Sequence, residues 1–244
     1  MSLRIVIPAW NEESQIPELM VNLKKVISSL DLPVKVFLVD DGSTDETAEK
    51  AEQYKDTIDL KVLTHDVNKG VSEAFRTGFT AAMKDADSSD FIVTMEANRN
   101  ADPEMIPKML EFAAQGTELV LASCYAPGGA VIGDPPMRLL LSKGVNTILR
   151  IIFPAQGVHT YTSFYRLWSH DLLCEIKAQT DGRFFDQDGF VCMADMLLKA
   201  RKVKGIQIRE IPMILRSDIT EAGSKMKVFR TIRGYLGLIS SNLL

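Results

Sequence analysis

The sequence predicts an α/β protein with a mainly parallel, doubly wound sheet and helices on both faces. Three observations carry this expectation. Short apolar runs alternate with stretches of helical periodicity through the first half of the chain, turn residues separate them, and polar residues collect after each run. Strands joined through helices need right-handed crossovers, and such sheets bind ligands at the carboxyl ends of their strands.

The elements follow in order. Leu3 to Ile7 is an apolar run closed by Pro8, and from Ile16 the residues Leu19, Met20, Leu23, Val26, Ile27 and Leu30 recur at helical spacing. Ser14 is placed to cap that helix. Val34 to Val39 reads as the second strand, and the next helix is expected to open at Ser43-Thr44-Asp45-Glu46, a capping-box pattern with acids at the positive end of the helix dipole. Leu60 to Leu63 is the third strand, followed by a helix with Val71, Ala74, Phe75, Gly78, Phe79 and Ala82 on one face. Phe91 to Met95, Pro103 to Ala114 and Leu119 to Ala122 complete the pattern as strand, helix and strand. Beyond Ala122 it loosens: Ala126 to Gly129 and Gly133 to Pro136 are turn-rich, predicting a mobile loop. Helical patterns return at Met137 to Ile152 and Asp188 to Ala200, a strand fits Ile206 to Ile211, and the tail from Lys225 is amphipathic. Residues 1–227 form one expected catalytic domain, and residues 228–244 an amphipathic C-terminal helix.

At 244 residues with a formal charge of -4, the chain is long enough for a full core and lacks the excess of basic residues that broad nucleic-acid binding needs. Its cysteines, Cys124, Cys174 and Cys192, show no CxxC spacing, so neither a disulfide framework nor a zinc site is expected and the cytoplasm is the natural compartment. His65, His159 and His170 lack ligand spacing and read as structural. No apolar run reaches the roughly 20 residues that span a bilayer.

The polar groups fall where strands should end: Pro8-Ala9-Trp10-Asn11-Glu12 after the first, Asp40-Asp41-Gly42-Ser43 after the second, Asn68-Lys69-Gly70 after the third, and Glu96 to Asn100 after the fourth. A parallel sheet brings these loops to one rim. A nucleotide fits across them, with base and ribose near Asp40, Asp41 and the first loop, its diphosphate near Lys69, and a metal at Glu96 and Asn98. Each loop alone is also an ordinary turn; their order makes the case.

The segments VIPAWNEE, FLVDDGSTDET, NKGVSEAFRTGF, MEANRNADPEMIPKML, TSFYRL and REIPMILR...GSK stand in the order found in inverting GT-A-type (family 2) glycosyltransferases, and most resemble the dolichyl- or polyprenyl-phosphate mannosyltransferase branch. The resemblance implies a GT-A nucleotide-diphospho-sugar transferase fold. It implies that Pro8, Ala9, Asn11, Glu12, Asp40, Asp41, Lys69 and Ala97 bind a nucleotide-sugar donor, GDP-mannose by branch or a UDP-sugar by similar loops. Glu96, Asn98 and Asn100 would hold a divalent metal, Mg²⁺ or Mn²⁺. Where the family has Asp-Ala-Asp followed by Gln, this chain has Glu96-Ala97-Asn98 and then Asn100; a lost carboxylate implies weaker metal binding with the oxygen donors kept. The family's arginine after the fifth strand is Cys124, and the glycine of its Thr-Ser-Gly-Phe-Arg is Phe164.

By the same resemblance Arg138 and Ser142, four apart on one helix face, meet the phosphate of a polyprenyl acceptor, and Arg216 and Lys225 close the site. A phosphate oxygen is already an anion, so it attacks the anomeric carbon without a carboxylate base. A hydroxyl acceptor, as in polysaccharide or glycolipid synthesis, would need one, and Asp186 or Asp188 in GRFFDQDGF is then the candidate; either also serves to cap the next helix. A third class is a degenerate member that binds nucleotide without transfer. The basic and apolar residues after Lys225 suit either an anionic membrane surface or packing on the domain, with a peripheral place at the cytoplasmic face in the first case.

Overall fold

The computed structural model describes residues 1–98, 101–217 and 228–243. Its strands are β1 (Leu3–Ala9), β2 (Val34–Asp40), β3 (Leu60–Thr64), β4 (Phe91–Thr94), β5 (Leu119–Ser123), β6 (Ala130–Ile132), β7 (Arg166–Ser169), β8 (Ile208–Pro212) and β9 (Ile214–Arg216). The helices are α1 (Ile16–Ser29), α2 (Thr47–Glu52), α3 (Val71–Met83), α4 (Ile106–Ala113), α5 (Pro136–Ile152), α6 (His170–Ala178), α7 (Cys192–Ala200) and α8 (Val228–Leu243). Seven strands form one sheet in the order β3-β2-β1-β4-β7-β5-β8, and β6 pairs with β9 in a separate ribbon.

The doubly wound arrangement follows from the period-two alternation of apolar strand residues. On one face Val6, Phe37, Ile92, Leu119 and Leu121 pack with Phe75 and Phe79 of α3 and with α7. On the other Leu3, Ile5, Ile7, Val36, Leu38, Val93 and Val120 pack with α1 and α4. Gly78 lets α3 lie directly on β1, because a Cβ there would sit 2.2 Å from Val6 Cγ1. Phe79 is wholly buried against Phe184, ring centroids 4.9 Å apart, so Phe79→Ala would cost about 3–5 kcal/mol.

The sheet is mainly parallel, but β7 runs antiparallel to both β4 and β5. The sequence pattern passes over it because it is four residues long and begins with Arg166. Tertiary contacts make that arginine a core residue: fully buried, it donates to the carbonyls of Ser163 (2.8 Å), Met193 (2.6 Å) and Tyr161 (2.7 Å). Burial lowers its pKa to about 9, still charged at neutral pH. Ser169 ends β7 and caps α6, accepting from Leu172 N at 3.2 Å.

Two expected caps are elsewhere. Ser14 does not cap α1; Gln15 occupies that position without a side-chain bond, and Glu12 O accepts from the backbone N–H groups of Gln15 and Ile16. The second helix begins at Thr47, not at Ser43, and Asp45 accepts from Thr47 N at 3.1 Å. Ser43 instead joins the loops beside it. The turn-rich stretch expected to be a mobile loop contains β6, whose parallel pairing with β9 sets Ala130 against Ile214 and Ile132 against Arg216. Gly129 is required there, since a Cβ would lie 2.6 Å from Ser123 O.

Candidate active site

Three strand-end loops are joined by side chains bonded to one another's backbones. Asn11, at φ 52°, occupies the left-handed region that asparagine tolerates. Its N donates to Ser43 Oγ (2.9 Å), and its Oδ1 accepts from Thr44 N (2.9 Å). Glu12 N donates to Thr47 Oγ1 (2.8 Å). Asp40 Oδ1 accepts from Ser43 N (3.2 Å) and from the Ser43 hydroxyl. Asp41, buried, receives Lys69 N (2.9 Å) and Gly70 N (2.8 Å), and its Oδ1 lies 2.7 Å from His65 Nδ1. Asp41 N in turn donates to Ala9 O at 2.8 Å. Gly42, at φ 67°, allows the second loop to press on the third: a Cβ would meet Val67 C at 2.3 Å.

The aspartates therefore differ. Asp41 is committed to holding the third loop, leaving the Lys69 side chain exposed above it. Pro8 and Ala9 are the last residues of β1, in register with Val39 and Asp40. His65, read as structural, bridges Asp41 and Thr77 Oγ1.

The fourth loop carries a desolvated acid. Glu96 is half-buried, and loss of water raises its pKa to about 7; Arg138 opposes the rise and Glu12 adds to it. Glu96 thus senses both the first loop and α5. Ala97 is buried, and Asn98 is half-buried. Asn98 and Arg216 line a 330 Å³ cavity with Gln15, Glu18 and Asp102. Asn100 and Lys225 lie outside the described residues.

Arg138 pairs with Asp134 Oδ1 at 3.2 Å. One turn on, Ser142 Oγ accepts from Tyr125 OH (2.8 Å), so its own hydrogen is directed elsewhere. Asp188 is not drawn toward this group: its side chain is 69% exposed, 3.9 Å from Arg76, and the next residue's N donates to Ser72 Oγ (3.0 Å). Asp186 pairs with Arg183 and Lys199, each at 3.1 Å. Neither caps the following helix with its side chain. Burial pushes the Cys124 thiol up to about 11, so it carries no charge in the place of the family's arginine.

Three positioning residues escaped the sequence reading. Asp195, buried in α7, accepts from Asp186 N (2.6 Å) and Gln187 N (3.1 Å) and pairs with Lys199. Glu210 accepts from His159 N (2.8 Å) and Thr160 N (2.7 Å). Asn146 accepts from Tyr161 N (2.6 Å). The available signal was a polar residue set among apolar ones, as in CMADMLLKA around Asp195.

Among the described residues no cluster of three His, Cys, Asp or Glu side chains could hold a metal ion unaided. The donor set still fits a hard cation, because Glu96 and Asn98 offer oxygen and an under-compensated carboxyl attracts positive charge. Mg²⁺ commonly takes one or two protein carboxylates with phosphates and water completing its shell.

A parallel sheet with such a rim and an acid-amide pair beside it defines a GT-A type glycosyltransferase fold. Solved structures bear this out at the level of fold: glucosyl-3-phosphoglycerate synthase from Mycobacterium tuberculosis, with Mn²⁺ and UDP-glucose, superimposes with TM-score 0.70 at 18% identity, covering 99% of this chain and 78% of that one. The chain belongs to glycosyl transferase family 2, whose family model matches residues 4–176. Dolichol-phosphate mannosyltransferase of Pyrococcus furiosus is 30% identical over 210 residues, 85% of this chain and 55% of that protein. Polyprenol monophosphomannose synthase of Mycolicibacterium smegmatis is 28% identical over 211 residues, 86% of this chain and 75% of that protein. The chain thus spans little more than half the length of the Pyrococcus relative.

Proposed function

We propose that this chain transfers one sugar, with inversion, from a nucleoside-diphosphate donor to a polyprenyl phosphate. One observation carries the reading: Asn11, Asp40 and Asp41 tie the ends of β1, β2 and β3 into one rim, and the loop after β4 adds Asn98, which lines a cavity with Arg216. The relatives' names, dolichol-phosphate mannosyltransferase and polyprenol monophosphomannose synthase, support a lipid-phosphate acceptor and point to mannose.

In this reading Asp40 and the Asn11 loop seat the nucleoside, and Lys69 faces the diphosphate. Glu96 and Asn98, with Asn100, hold a divalent cation, and the bound cation supplies positive charge for the diphosphate leaving group; neighbouring folds were crystallised with Mn²⁺ or Mg²⁺. Arg138 orients the acceptor phosphate, and Ser142 donates to it the hydrogen that Tyr125 leaves available. Arg216, which lines the cavity with Asn98, adds positive charge there; Lys225 keeps the acceptor-side role that the family resemblance implies. A phosphate oxygen attacks the anomeric carbon on the face opposite the departing diphosphate, with no proton to remove, so alignment and charge carry the rate.

No helix among the described residues is long and apolar enough to cross a membrane. We place the protein peripherally at the cytoplasmic membrane face, with residues 1–227 as the catalytic unit. The deciding experiment is transfer of labelled sugar from GDP-mannose and from UDP-sugars to a short-chain isoprenyl phosphate, with and without Mn²⁺. Metal-dependent product with inverted configuration is expected. Absence of product with every donor would leave nucleotide binding without transfer.

A further inference from the structure

A cavity of 330 Å³ lies between the start of α1, the segment after β4 and the strand β9. At the low end of the volumes that hold ligands, about 300–1,000 Å³, it has room for one small molecule. Asn98 and Arg216 border it, whereas Asn11, Asp40, Lys69, Glu96, Arg138 and Ser142 are not among its lining residues. The space therefore adjoins the transfer groups and extends away from them along α1.

Gln15 marks it as a site. The residue is 4% exposed, lines the cavity, and occupies the N-cap position of α1 without a side-chain capping bond. Its Nε2 donates to Ser14 Oγ at 3.1 Å, and its buried Oε1 has no hydrogen-bond partner. Turning the amide over lets the Ser14 hydroxyl donate to Oε1 and leaves Nε2 open instead, so one end stays unpaired in either orientation. A buried polar group without a partner costs free energy that a leucine of similar size would not, unless a ligand completes it.

The other walls define that ligand. Asn22 follows Gln15 and Glu18 at helical spacing and brings a second amide to the same face. Asp102 accepts from Glu104 N (2.9 Å), Glu104 pairs with Lys25 (2.6 Å), and among the described residues no three acids group to hold a metal ion. An anion would meet Glu18, Asp102 and Glu104 against Arg216 alone. An apolar molecule would leave the amide unpaired. A neutral molecule with several hydroxyls meets every demand: its O–H groups donate to carboxylate and amide oxygens, its oxygens accept from amide and guanidinium N–H groups, and Leu19, Pro103 and Ile214 supply apolar surface for its carbon skeleton.

We propose that this cavity binds a sugar, one pyranose ring held by the amides of Gln15 and Asn22, at a place separate from that of the donor. The inference goes beyond the transfer reading and shares with it only Asn98 and Arg216.

Saturation-transfer NMR on the whole chain with D-mannose and D-glucose tests it, and needs neither donor nor acceptor. At least one of the two sugars is expected to bind with a Kd on the order of 1 mM, the range that a ring of few atoms reaches. Gln15→Leu and Asn22→Leu should each weaken binding by about tenfold or more. Gln15→Leu should melt no lower than wild type, because the amide it removes is only half satisfied. Should that variant fail to fold, Asn22→Leu, at an exposed position, decides. GDP with Mn²⁺, and GDP-mannose with Mn²⁺, should leave the sugar signal in place. Absence of binding by both sugars up to tens of millimolar overturns the proposal, as does undiminished binding by either folded variant. Displacement by GDP or by GDP-mannose would put the sugar in the donor's own path and overturns it too. Transfer of labelled sugar to isoprenyl phosphate, assayed on Gln15→Leu, keeps the two readings apart: the wild-type rate is expected, and an inactive wild type would remove the transfer reading while leaving the NMR result to judge the cavity.

Discussion

The donor-side rim and the fourth-loop side of the site are built to opposite standards. At the ends of β1, β2 and β3 the side chains of Asn11, Asp40 and Asp41 are bonded to backbone of the same or a neighbouring loop, and Gly42 is pressed against Val67. At the end of β4 the Glu96 carboxyl is desolvated without full compensation, and α5 is anchored mainly through Asn146 and Leu149. One side is held by its own hydrogen bonds; the other carries a carboxyl that burial pushes toward its neutral form. Substitutions on the first should therefore alter stability, and those on the second should alter rate.

The sharpest break would come from Glu96→Gln, expected to reduce metal-dependent transfer on the order of 100-fold by removing a charge aimed at the reacting diphosphate. Its unfolding midpoint in urea should not fall, because the ionised carboxyl is disfavoured by burial. A large stability loss would erase the contrast. Next is Asp195→Ala, which leaves Lys199 buried beside Asp186 and should destabilise by about 3–5 kcal/mol in urea unfolding. Asp41→Ala leaves the N–H groups of Lys69 and Gly70 without their acceptor and should cost about 1–3 kcal/mol, with weaker nucleotide binding by calorimetry.

The pH dependence sharpens the comparison. Glu96 has a folded pKa of about 7 against an ordinary 4.5, so its contribution to stability is fully present below the lower value and is lost as pH rises through the upper one. A cation needs the ionised form, so metal affinity should run the other way, falling as pH drops below about 7. Titrations of metal-free protein by melting and of Mn²⁺ binding by calorimetry should show these opposite slopes, and Glu96→Gln should flatten both. The smallest effect is expected from Asp188→Asn, within a few-fold of wild type; a loss of about 100-fold or more would identify a general base and a hydroxyl acceptor.

Much of this division was legible in the chain. The loops after β1, β2 and β4 begin where the apolar runs stop, and their polar residues are contiguous, so local pattern sufficed. Arg166 and Asp195 were not legible. A charged residue in a short strand or an apolar helix has no local cue for burial, because its partners are carbonyls and N–H groups brought from distant segments. The α8 tail was open between membrane and core for a related reason: amphipathicity announces that a face will be covered and is silent on what covers it.

The sequence by itself determined the alternation of strand and helix, the sheet edge where oxygen and amide side chains gather, and the family, since apolar periodicity and turn residues act over a few neighbours. Tertiary structure decided that β7 enters antiparallel, that Asp41 braces a loop, that burial raises the Glu96 carboxyl, and that α8 buries Tyr235 and Leu238 while leaving Ile232 and Leu236 exposed. Those outcomes depend on desolvation and long-range packing, which exist only once remote segments share the same space.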